Sequence, residues 1–148
     1  MKKASAFAPG HITGFFQICD ESKDPLRKGS RGAGFSVEIG TQTKVQVEPS
    51  KREAIKIIIN GRVTGEAIVS ENAVRRMLEM EEEHQRVEVT HDIETPIGAG
   101  FSSSGGGALT ITMAMNEALE LGLSDIDVSR IAHLAEIECK TGLGTVFA

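Results

Sequence analysis

The stretch Pro96-Ile97-Gly98-Ala99-Gly100-Phe101-Ser102-Ser103-Ser104-Gly105-Gly106-Gly107-Ala108 decides how this chain is read. An alternating segment, Arg86 to Ile93, precedes it, and a long apolar segment follows. Glycines let a backbone approach a ligand closely and adopt positive φ without a Cβ clash. A helix that starts just after them offers unpaired N–H groups and a positive dipole end to an anion. Three consecutive serines add hydroxyls that can bond phosphate or a hydrated metal. The stretch therefore predicts a phosphate cradle at a helix N-terminus.

Two other phosphate motifs do not fit. The Walker pattern ends in Gly-Lys-Ser/Thr, and no lysine lies between Thr95 and Lys140. The dinucleotide pattern needs a third glycine where Ser103 stands and an acidic residue closing a second strand further on. One long helix follows instead. A flexible glycine-serine linker is the competing reading, but linkers are rarely wedged between a patterned strand and a patterned helix.

Working outward, Val37, Ile39, Thr41, Thr43, Val45 and Val47 alternate with polar residues and predict a long strand with one wet face. Ile55 to Ile59 predicts the next strand, and Asn60-Gly61 is a hairpin signal leading into Arg62-Val63-Thr64. Ser70 precedes a helix whose buried stripe is Ala73, Val74, Met77 and Leu78. On the strand Arg86 to Ile93, His91 lies on the apolar side and reads as a packed or edge histidine. After the loop, Ala108, Ile111, Met115, Ala118 and Leu119 recur at helical spacing, and Leu109, Met113 and Ala114 suggest burial nearly all round. Leu121-Gly122 is the expected stop.

Ser124-Asp125-Ile126-Asp127 is a capping box with Asp in place of Glu. The helix after it buries Val128, Ile131, Ala132, Ala135 and Cys139. His133, Glu136 and Lys140 share another face, which is either plain solvent surface or a ligand-facing one. Near the N-terminus, Lys3 to Ala8 predicts a short strand broken at Ala8-Pro9-Gly10-His11. Lys28-Gly29-Ser30-Arg31-Gly32-Ala33-Gly34 reads as a basic glycine loop, serving turns only or holding a carboxylate or phosphate.

The 148 residues suffice for one domain with a real core. Charged residues make up 25% and hydrophobic ones 40%, an ordinary soluble balance. A net charge of −5 with no basic patch argues against a nucleic-acid partner. No apolar run approaches a membrane span, and no secretion signal is visible. Cys19 and Cys139 lie far apart without metal spacing, so a reduced cytoplasmic protein is the expectation.

Three stretches together resemble the GHMP kinase superfamily, which includes galactokinase, homoserine kinase and mevalonate kinase. Ala8-Pro9-Gly10-His11 is similar to its first motif, and Pro96 to Gly106 to its second, the ATP-phosphate loop. Ser5 to His11, Gly29 to Gly34, the triple-serine loop and Ala135 to Gly144 most resemble the archaeal pantoate kinases within it. The resemblance runs over essentially the whole chain but matches only the N-terminal half of such a kinase. It therefore implies one N-terminal ATP-binding domain over residues 1–148, the C-terminal domain being absent from this chain.

The implied fold is α+β, a mixed sheet packed against helices of the ribosomal protein S5 domain 2-like type. The implied reaction is ATP-dependent phosphorylation of the terminal hydroxyl of pantoate, on the route to coenzyme A. The resemblance implies that Gly98-Ala99-Gly100-Phe101-Ser102-Ser103-Ser104-Gly105-Gly106 wraps the triphosphate. It implies Ser104 and Glu136 as Mg²⁺ ligands, and Ser30 and His133 as contacts to pantoate. The family's Gly-Leu-Gly turn is usually followed by Asp as catalytic base; that catalytic position is Thr145 here, and threonine does not accept a proton near neutral pH. Where many members have Lys after Ala-Pro-Gly, this chain has His11. Competing readings are a shikimate- or mevalonate-type GHMP kinase and a catalytically inactive nucleotide-binding fragment. Apolar surface left by a missing domain predicts self-association, a homodimer being one form.

Overall fold

Alternation along two strands builds the centre of the sheet. In the computed structural model, which describes residues 1–147, β2 (Gly29–Pro49) pairs antiparallel with β5 (Gln85–Ile93). Their register sets Thr43 beside His91, Val45 beside Val89 and Val47 beside Val87. All six side chains are buried on one face. The strands are completed by β1 (Lys2–Cys19), β3 (Ala54–Ile59) and β4 (Arg62–Thr64), in the order β1-β2-β5-β3-β4. Only the β3–β5 pair is parallel, which makes the sheet mixed.

Two helices, α1 (Ile68–Leu78) and α2 (Ser103–Leu119), pack on the sheet, and a third, α3 (Asp125–Cys139), packs on those two. The fold is α+β, as expected. Met77, Ile111 and Met115 are wholly buried between the layers, and each contributes on the order of 1.5–3 kcal/mol by leaving water. Among the described residues, no helix is long and apolar enough to cross a membrane.

The N-terminal third departs from expectation. Pro9-Gly10 does not end β1. The strand runs on to Cys19, and the irregularity appears as a register shift between Pro9 and Gly10. Proline has no N–H for a ladder, and β1 tolerates it at a shift on the sheet edge. The glycine-rich segment from Gly29 is likewise strand, not loop: Gly29 to Gly34 pairs with Thr13 to Cys19 in a long two-stranded arm. Gly10 pairs with Val37 while Pro9 pairs with Gly40, so Glu38 and Ile39 bulge out. That flips Ile39 from the expected buried side to 45% exposure.

Helix ends also differ. Ser70 is not a cap: α1 begins at Ile68, and the Ser70 hydroxyl is buried against His91. α2 stops at Leu119 with Glu120, φ 59°, as its left-handed cap, short of Leu121-Gly122. Its outer face is not fully covered, since Met113 is 41% exposed. The Ser124 cap holds, accepting from the Asp127 N–H at 3.2 Å.

Candidate active site

The loop between β5 and α2 carries its positive-φ glycines at Gly98 and Gly100, φ 77° and 84°. Neither would meet an atom with an added Cβ, so the turn geometry alone calls for glycine there. The loop is sewn to β1: the His11 N–H donates to the Phe101 carbonyl at 3.2 Å, and the Ser102 hydroxyl points to the His11 carbonyl at 3.5 Å. Ser102, φ 58°, holds the left-handed cap position before α2. The first turn of α2, from Ser103, leaves N–H groups without intrahelical partners and presents the positive dipole end.

The three serines separate by partner. Ser102 faces the β1 backbone. The Ser103 hydroxyl shares a hydrogen bond with the Thr95 hydroxyl at 3.2 Å. The Ser104 hydroxyl donates to Glu136 Oε1 at 3.0 Å. The turn after α3 supplies the other contact, as the Thr145 hydroxyl donates to Glu136 Oε2 at 3.1 Å.

Glu136 is fully buried. Burial raises its pKa above the ordinary carboxylate value, while the Ser104 and Thr145 hydrogen bonds and the nearby His133 pull the other way. No lysine or arginine pairs with it among the described residues.

Glycines make room for this carboxylate. A Cβ on Gly142 would stand 2.4 Å from Glu136 Oε1. One on Gly105 would stand 2.9 Å from Thr145 Oγ1 and 3.0 Å from Glu136 Oε2. Gly105 thus lets α2 close on α3 and the C-terminal turn.

A cleft of about 1060 Å³ opens above these groups. Gly98, Gly100, Phe101 and all three serines line one side, and Ser30 and Thr145 line it as well. Ser30 donates its hydroxyl to the Leu143 carbonyl at 2.9 Å. His133 is buried behind the wall, 3% exposed, rather than in the lining. Its Nε2 donates to the Lys28 carbonyl at 2.9 Å, and its Nδ1 is buried without a partner. The His133–Glu136 face is therefore interior, not solvent surface.

The residues fit a magnesium ion. A carboxylate and a hydroxyl are hard oxygen donors, and Mg²⁺ commonly takes one or two protein ligands beside substrate phosphates. Glu136 is a buried carboxylate without a counter-cation, in contact with the Ser104 hydroxyl at the mouth of the helix.

Sequence reading missed two features. Gly142 was legible only as part of a turn, though its spacing after Glu136 was visible. The tie between the loop and His11 crosses the whole chain and leaves no local signal.

A mixed sheet, a glycine-serine loop and a helix N-terminus thus meet at one cleft. A model of the GHMP kinases N terminal domain matches residues 68–148, and the chain belongs to that family. It is similar to the pantoate kinase of Methanocaldococcus jannaschii, 35% identical over 145 residues, which is 96% of this chain and 48% of that kinase. The pantoate kinase of Thermococcus kodakarensis is also 35% identical, over 95% of this chain and 47% of its own. A solved structure described as a phosphotransferase related to the CoA biosynthesis pathway superposes with a TM-score of 0.89 at 31% identity, covering 98% of this chain and 49% of that one. The chain spans about half the length of the curated relatives it matches.

Proposed function

We propose that the chain forms the nucleotide-binding half of a kinase that phosphorylates the terminal hydroxyl of pantoate. The observation that carries this reading is the Ser104–Glu136–Thr145 cluster at the N-terminus of α2, in which Ser104 and Thr145 line the cleft beside the glycine loop and Glu136 is buried directly behind them. Similarity to two pantoate kinases supports the choice of acceptor over shikimate or mevalonate.

In this reading Gly98 to Gly106 and the α2 N-terminus bind the triphosphate of ATP. Ser104 and Glu136 hold Mg²⁺, which would neutralise phosphate charge when bound. Ser30 meets pantoate, and His133 acts from behind by fixing the wall that carries Ser30. The acceptor hydroxyl oxygen forms a bond to the γ-phosphorus as the bond to the β-phosphate oxygen breaks; ADP leaves, and the hydroxyl proton passes to an oxygen of the transferred phosphoryl group and from there to water. Such transfer depends mainly on positioning and charge neutralisation. Thr145 keeps Glu136 oriented by its hydrogen bond and supplies no base.

Calorimetry with Mg-ATP tests the reading. Ser104→Ala should weaken binding about tenfold, the loss of one charge-assisted contact. Ser102→Ala, whose hydroxyl faces the β1 backbone, should bind within twofold of wild type. Equal binding by wild type and Ser104→Ala refutes the assignment of the loop.

A further inference from the structure

The cleft contains a cation that the kinase reading leaves without a role. Lys28 lines it, half-buried, and makes no ion pair among the described residues. Its backbone is held on both sides. The Lys28 N–H donates to the Pro25 carbonyl at 3.2 Å, closing a short turn capped by Asp24. The Lys28 carbonyl accepts from His133 Nε2 at 2.9 Å. Two residues on, Ser30 is tied to Leu143. A Cβ on Gly144 would lie 3.9 Å from both the Gly29 Cα and the Ser30 nitrogen, so this wall packs against the C-terminal turn rather than against the phosphate loop.

We propose that Lys28 is the specificity-determining residue that reads the carboxylate of the acceptor. This rests on the kinase reading of the cleft and names the acceptor class, a hydroxy acid rather than a neutral alcohol. A half-buried lysine in the cleft wall without a carboxylate partner is a standing site for an anion, and a charge-assisted hydrogen bond satisfies it. The pinned backbone leaves only the side chain to be ordered on binding. The other charged lining residues are Asp20 and Lys140, both exposed. Lys140 follows α3 with φ 55° and makes no contact with the Lys28–Ser30 wall through its backbone, whose N–H returns to Ile137. Buried His133 then has a physical role, since it places Lys28 from beneath by holding its carbonyl.

The test compares pantoate with its neutral amide by calorimetry on the full chain. Lys28→Met keeps much of the stem and removes the charge; Lys28→Arg keeps the charge. Wild type and Lys28→Arg should prefer the carboxylate by about tenfold to a hundredfold, the range for a hydrogen bond to a charged group. Lys28→Met should lose that preference while binding Mg-ATP within twofold of wild type. Its melting temperature should be unchanged, because Lys28 makes no ion pair. Three results overturn the proposal: an equal preference in Lys28→Met, a wild type that prefers neither form or binds neither, or a loss of Mg-ATP affinity with pantoate binding intact. The last would assign the cation to the nucleotide phosphates. Ser104→Ala reports separately on the kinase reading, since it alters Mg-ATP binding and leaves the carboxylate–amide comparison in place.

Discussion

His91 should make the stability of this protein depend on pH in a calculable way. It is 1% exposed and sits between two hydroxyls, Thr43 at 2.7 Å from Nδ1 and Ser70 at 3.1 Å from Nε2. The Thr43 hydroxyl also meets the Thr110 hydroxyl at 2.5 Å, and Thr110 donates to the Gly106 carbonyl at 2.8 Å. Followed back from that carbonyl, the donors run one way: Thr43 donates to Thr110, His91 Nδ1–H to Thr43, and Ser70 to Nε2. The imidazole is neutral in this arrangement.

Burial lowers its pKa from about 6.5 to about 4, with Asp92 opposing weakly. The unfolded chain therefore takes the proton first as pH falls. Stability is full above about pH 6.5 and is lost as pH drops toward 4. The gap from 6.5 to about 4, at about 1.4 kcal/mol per pH unit, comes to about 3 kcal/mol. Glu136 works in the opposite sense, since its raised value favours the folded state as pH falls. Its contribution is shared by wild type and a His91→Gln variant and cancels in their difference. Urea unfolding of both proteins at several values from pH 7 to 4 should show wild type losing about 3 kcal/mol more than the variant. Parallel stability curves would refute the reasoning.

Other substitutions follow from the same contacts. Gly142→Ala should destabilise by about 1–3 kcal/mol, because its Cβ would stand 2.4 Å from the Glu136 carboxylate; an unchanged thermal midpoint would contradict the crowding. Thr145→Val removes one of the two hydroxyl donors to a buried carboxylate and should cost about 1–3 kcal/mol in denaturant titration, more at pH 7 than at pH 4, where Glu136 is readily protonated. Ser124→Ala should cost about 1 kcal/mol through loss of the α3 cap, read from chemical denaturation.

Much of the architecture was determined locally. The alternation at Thr41 to Val47 and Arg86 to Ile93 specifies strands whatever surrounds them, because a period of two admits one apolar face. The Ser124 cap and the Asn60-Gly61 turn, where Asn60 holds φ 48° and Gly61 φ 78°, depend on a few adjacent residues. The glycine-serine loop and the helix after it were legible for the same reason. Pairing across distance decided the rest. Pro9 and the glycines from Gly29 are poor strand formers alone, and they form strands because each segment completes the other's hydrogen bonds. His133, Glu136 and Lys140 share a helical face in the sequence, yet α2, the Lys28 wall and the C-terminal turn bury the first two and leave the third in water. Which side of a helix meets solvent is set by what packs on it, and those partners lie as far away in sequence as Lys28 and Ser104.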